Sequence, residues 1–219
     1  DQFGISELCL RFREAASLGH ALQIRQLIGI HKFPVNHPDP FSFTALHRSI
    51  LEGKDEVTKI LLKEHHVDVN QQTAFGATPL WIACYFNRLE AIKWMVCNEK
   101  EVDRKTCVNR RRFLEWARNK SRFQKEAKFI ENNFQNINLI SPLQIAKEKK
   151  FFQIVDLLEA FDSPNFQVIR YGLRLERNFS GLFIYLFIFT FLFLFLFYFY
   201  FYFYFYFILF LAKNFNIID

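Results

Sequence analysis

Three columns of residues return along this chain at a spacing of 34, 34, 34 and then 29, and that beat constrains the fold more than any other feature. With units begun at Leu10, Thr44, Thr78, Arg112 and Ser141, the third position is Phe12, Leu46, Leu80, Leu114 and Leu143, apolar throughout. The sixth is Ala15, Ser49, Ala83, Ala117 and Ala146, always small, and the eighteenth is Leu27, Leu61, Met95, Phe129 and Leu158, always large. A stack of like units requires such columns, because each unit buries the same positions against its neighbours.

Punctuation gives the shape of the unit. Thr78-Pro79 and Ser141-Pro142 set a hydroxyl cap before a proline at the first helical position, where its missing N–H costs nothing. Gly19 and Gly53 stand at the tenth position and can take the left-handed conformation that ends a short helix; Asn87 can do the same less cheaply. A second apolar run follows, Val57 to Leu62 or Ala91 to Val96, with helical spacing. Each unit is thus predicted to be a helical hairpin, and residues 1–161 an all-α, helix-turn-helix solenoid of about five repeats. Pro38, Pro40 and Gly76 mark projecting turns between units.

Thr78-Pro79-Leu80-Trp81-Ile82-Ala83, and Thr44-Ala45-Leu46-His47 through Gly53, Val57 and Leu61-Leu62 to Asp68-Val69-Asn70, resemble ankyrin repeats. The resemblance covers about residues 5 to 161 and is strongest for the units at Thr44 and Thr78. There are departures. Only His47 keeps the family's usual histidine, its column otherwise reading Trp81, Glu115 and Gln144, and Arg112-Phe113 replaces Thr-Pro. The shorter step before Ser141 trims or removes a turn between the last two units.

The resemblance implies a non-catalytic adaptor or scaffold, with an unidentified protein partner held on a concave face made of the projecting turns and the first helix of each unit. Carried over position by position, that face comprises Phe41, Ser42 and Phe43 in the first turn, and Gln71, Gln72, Thr73 and Phe75 in the second. Arg48, Trp81, Tyr85 and Arg118 are its helix candidates. Trp81, Trp94 and Trp116 serve equally well as packing between units.

Residues 182–212 carry no charge and, apart from Thr190, almost no polarity beyond tyrosine hydroxyls. A helix of about 20 apolar residues spans a bilayer, so this run is long enough for a single C-terminal transmembrane helix, with 162–181 as a basic linker and 213–219 as a tail. Arg170, Arg174 and Arg177 precede it, which by the positive-inside tendency keeps the repeats in the cytoplasm. A second reading stands beside the first: Phe alternates with Leu and then with Tyr from Phe191 to Phe207, the pattern of a translated microsatellite. Cys9, Cys84, Cys97 and Cys107 form no CxxC pair, which suits free thiols in a reducing compartment. The chain begins at Asp1 without methionine or signal-peptide pattern and reads as a fragment.

Charge is concentrated in one place. Arg104 to Glu131 holds ten Lys and Arg against three Glu, and the whole chain nets +6. Such a segment offers anionic lipid or an acidic partner a surface over 104–128, or is simply a solvated face. Nucleic acid is disfavoured, because no recognised binding motif interleaves the cations. No phosphate-cradling glycine loop, glycine-flanked serine or metal-ligand spacing stands out, so neither enzyme, cofactor nor metal is expected; His31, His37 and His65-His66 fall at unit ends or in turns. Two rival readings are the adaptor end of a larger membrane enzyme or channel, and a degenerate structural spacer.

Overall fold

The computed structural model describes residues 2–30, 33–64, 66–98, 101–161, 167–168 and 170–174. The chain divides into two units, Asp1–Arg170 and Tyr171–Asp219. Of the second, residues 171–174 are described and are helical. The hydrophobic run at 182–212, His31 and His65 lie outside the described residues. Among those described, no helix is long and apolar enough to cross a membrane.

Helices come in pairs within the first unit. They are α1 (Gln2–Leu18) with α2 (Ala21–Ile28), α3 (Ala45–Leu51) with α4 (Asp55–Lys63), and α5 (Pro79–Tyr85) with α6 (Leu89–Cys97). After them come β1 (Val108–Asn109), α7 (Arg110–Arg118), a 3-10 turn at Ser121–Phe123, α8 (Gln124–Asn133), β2 (Leu139–Ile140), α9 (Pro142–Glu148) and α10 (Phe152–Phe161). Helices start at the hydroxyl caps expected at Thr78 and Ser141, and at Thr44 as well: each accepts from the backbone N–H three residues on. Between pairs, Asn36 and Asn70 act as staples. Asn36 donates to the His66 carbonyl at 2.6 Å and accepts from the Asp68 amide at 2.9 Å. Asn70 repeats this with Glu101 and Asp103 at 2.7 and 2.8 Å.

One closing device is shared by the stacked pairs. The amide at the eleventh position bonds back to the sixth-position carbonyl in His20 to Ala15, Lys54 to Ser49, Arg88 to Ala83 and Phe151 to Ala146. The residue between, at the tenth position, has positive φ each time: Gly19, Gly53, Asn87 and Lys150. Gly53 is doubly constrained, because a Cβ there would lie 2.7 Å from the Arg88 guanidinium, which donates to the carbonyls of Ile50 and Leu51 at the end of α3.

This device corrects the count of five. The unit begun at Arg112 lacks it: its tenth position, Ser121, opens the 3-10 turn, and the Ala117 carbonyl is met by the Lys120 amide instead. Packing agrees. First helices succeed one another as α1 on α3, α3 on α5 and α5 on α9, and second helices as α2 on α4, α4 on α6 and α6 on α10. The units at Leu10, Thr44, Thr78 and Ser141 therefore stack, while α7 and α8 pack on each other outside that succession. The chain leaves the stack through β1 and returns through β2, which pair antiparallel as Val108 with Ile140 and Asn109 with Leu139. These two short strands are also a departure from the all-α expectation.

The core runs between the pairs. Ile24, Leu46, Ile50, Leu61, Leu80, Ile82, Ile92 and Met95 are among its fully buried side chains. No disulfide joins the four cysteines, and Cys9, Cys84 and Cys97 are buried. His47 is buried as well; its Nδ1 accepts from the Thr44 amide at 3.1 Å, closing a capping box on α3. Burial pushes its pKa down to about 4, opposed by the backbone of Ala77 and Gln71 and by the carboxylates of Asp39 and Asp68. The unfolded chain, with an ordinary imidazole near 6.5, then takes up the proton more readily than the folded one. The stability contributed by neutral His47 is present above the unfolded value and is lost as pH falls toward about 4, at up to ~1.4 kcal/mol per pH unit. His47→Gln is expected to be less stable at about pH 7 but to lose less on going to about pH 5. Urea unfolding of both proteins at the two pH values measures this, and equal losses would remove His47 from the account.

Candidate functional site

The face that the sequence assigns to a partner is built from the turns before α3 and α5 and from the first helices of the stack. Its two turns are equivalent. In the first, Asp39 accepts at Oδ1 from the Phe41 and Phe43 amides, both at 2.9 Å, and Ser42 has positive φ. In the second, Thr73 Oγ1 accepts from the Ala77 amide at 3.0 Å and Gly76 has positive φ. The turns are joined by the Ala74 amide donating to the Phe41 carbonyl at 3.0 Å.

Phe41 and Phe75 occupy the same position of these two turns but have different fates. Phe41 is 39 % exposed, while Phe75 is 2 % exposed. The difference is the excursion between β1 and β2, which folds back over the second turn and α5. Trp116 of α7 stacks on Phe43 with centroids 5.5 Å apart and lies 4.9 Å from Phe75. Phe113 meets Phe75 edge-on at 5.4 Å and also lies against Trp81 and Tyr85, at 5.6 and 5.9 Å. Phe123 lies 4.7 Å from Trp116 and 6.4 Å from Phe86. Aromatic pairs at these separations add to what their burial contributes.

Polar groups tie the excursion down at its margins. Trp81 Nε1 donates to the Ile140 carbonyl at 3.0 Å, and the Tyr85 hydroxyl to the Glu126 carbonyl at 3.3 Å. Arg122 grips Glu52, at the end of α3, with two bonds of 2.7 Å. Lys120 Nζ sits 4.8 Å from the centre of the Phe41 ring. Lys149, at the end of α9, holds its Nζ 3.7 Å from the centre of the Tyr85 ring; burial lowers its pKa, and Glu126 opposes that. Burial raises the pKa values of the Tyr85 hydroxyl and the Cys84 thiol, so neither is an ionised nucleophile at neutral pH.

The residues expected on the face therefore divide. Phe43, Thr73, Phe75, Trp81 and Tyr85 are buried. Phe41 and Gln72 are exposed, and Ser42, Gln71 and Arg48 are half-buried. Arg48 pairs with Asp39 and places its guanidinium 4.8 Å from the Phe43 ring centre. Arg118 is exposed and pairs with Glu131 of α8. Sequence reasoning missed Phe113, Phe123, Lys120, Arg122 and Glu52 as parts of this face. A signal existed in Phe113 and Trp116, three apart on a helix and so side by side, together with the absence of Gly or Asn at the tenth position.

Residues 12–106 match a family model of ankyrin repeats in three copies. The match spans the units at Leu10, Thr44 and Thr78 and ends before α7 begins. A search among curated proteins gives no match. Ankyrin repeats are a protein-protein interaction architecture, and here the inner side of the second and third repeats is roofed by the excursion. Replacing residues 110–138 by an Asn-Gly turn between the strands is expected to leave the stack folded while uncovering Phe43, Phe75, Trp81 and Tyr85. Circular dichroism with a dye that fluoresces on apolar surface checks this. Loss of the cooperative helical transition would mean that α7 and α8 belong to the stack after all.

Proposed function

We propose that this protein is a non-catalytic adaptor or scaffold whose ankyrin repeats bind a protein partner through the projecting turns and the rim of the excursion rather than through the inner groove. The observation that carries this reading is the split between Phe41 and Phe75. The groove position is filled by Phe113 and Trp116, whereas Phe41, Ser42, Gln71 and Gln72 keep surface at the turn tips and Arg48 stands behind them. Uncovering the groove would expose several large aromatic side chains at about 1.5–3 kcal/mol each, so a partner gains more by docking on what is already open.

Photo-crosslinking tests the location. A benzoylphenylalanine at Gln72 or Phe41 is expected to capture the same partner, and one at exposed Lys63 on α4 is not. Phe41→Ser with Gln72→Ala should cut capture by about tenfold, as loss of one aromatic anchor does, while stability changes by only about 0.5 kcal/mol. Undiminished capture would place the partner elsewhere.

The uncharged run at 182–212 supports a second element of the proposal, that the module is held at a membrane by its C-terminal segment. Carbonate extraction of the full chain should then leave it in the membrane pellet, and release into the supernatant would remove the anchor.

A further inference from the structure

The outer side of the excursion is a surface of a different kind. Two of its three carboxylates are paired, Glu115 with Arg111 and Glu131 with Arg118, and the third, Glu126, is half-buried, with its backbone carbonyl bonded to Tyr85. Arg122 reaches back to Glu52 for its partner. Arg112 on α7 and Lys125 and Lys128 on α8 remain, each exposed and without an ion pair among the described residues. The first turn of α7 contains Arg110, Arg111 and Arg112 and no acidic residue. Cations there oppose the helix dipole, and Arg112 has no ion pair among the described residues to offset that.

Large apolar side chains stand next to the first turn of α7. The Arg110 amide donates to the Asn138 carbonyl at 2.9 Å, which sets the first turn of α7 against the returning strand. Leu139 on that strand is 56 % exposed, and Ile137, two residues before it, is 36 % exposed. The aromatic residues of the excursion point the other way, toward Phe43, Phe75 and Phe86. Single-stranded nucleic acid would find no stacking platform among the cations. A bilayer would find exposed large apolar side chains at the edge of the face, in Ile137 and Leu139, but none on α7 or α8 themselves.

We infer that the outer face of α7 and α8, with Ile137 and Leu139 at its edge, docks an acidic segment of a partner protein that carries a large apolar or aromatic side chain among its carboxylates. The cations supply steering and salt-dependent attachment, and the apolar pair supplies the anchor. This rests on the reading of the chain as a protein-binding module but concerns a surface other than the turn tips, so crosslinking at Gln72 succeeds or fails independently of it.

The test uses the full chain and a short fluorescein-labelled peptide of glutamates interrupted by one phenylalanine, followed by anisotropy. Saturable binding is expected that weakens between about 0.05 and about 0.5 M salt, as screening requires. Arg112→Glu with Lys125→Glu and Lys128→Glu should weaken it by roughly tenfold or more. Leu139→Ser, or serine for phenylalanine in the peptide, should weaken it by a few-fold, roughly. All these side chains are exposed, and unchanged thermal unfolding verifies that the variants fold. Equal affinity for wild type and the charge variant overturns the inference, as does indifference to both serine substitutions. Tighter binding of phosphatidylserine vesicles or of a single-stranded oligonucleotide than of the peptide also overturns it.

Discussion

The packing of α9 directly on α5 governs the rest of the first unit. A solenoid is held by nearest-neighbour interfaces, so a stack interrupted after α6 would leave an apolar face uncovered. Continuity across α5 and α9 forces the excursion at residues 110–138 to leave and re-enter at the same edge. The antiparallel pairing of Val108 with Ile140 and Asn109 with Leu139 is the local solution, since it brings departing and returning chain side by side. Ile140 then lies where Ala77 lies one unit earlier, just ahead of the helix cap, and its carbonyl receives the Trp81 indole.

From that geometry follows the state of the groove. An excursion anchored at the level of the third repeat has the inner side of that repeat within reach, and it carries Phe113, Trp116 and Phe123 on the faces turned toward it. Phe43, Phe75, Trp81 and Tyr85 become interior residues through contact with a segment far along the sequence. The excursion is thus two-sided, with aromatic residues against the repeats and Arg111, Arg112, Lys125 and Lys128 toward solvent. The lopsided charge of 104–131 is the outward half of an amphipathic pair rather than a feature of a drifting repeat.

The unit at Arg112 shows why periodicity misled. Leu114, Ala117 and Phe129 fit the repeat columns because any short helix laid on an apolar surface needs residues spaced three to four apart, with a small one where backbones approach. That requirement is common to a stacked repeat and to a helix folded back on a groove. The tenth position is more discriminating, since a reversal in so few residues demands positive φ. Gly19, Gly53 and Asn87 announce it, whereas Lys150 meets the demand without being a residue type that advertises it. For the face itself, the turn residues were legible as types, but Phe41 and Phe75 could not be distinguished from one another by sequence spacing.

By itself the sequence determined the helical hairpin, its caps at Thr78 and Ser141, the buried columns and the succession of the first three repeats, because these depend on contacts within about one unit's length. Only the tertiary structure decided that α9 rather than α7 follows α5, that the aromatic groove is filled from within, and which turn residues stay open. The physical reason is that amphipathicity states that a face must be covered without stating by what. Coverage of Phe75 by Phe113 and Trp116 is settled by where the chain re-enters the stack, and no local pattern encodes that.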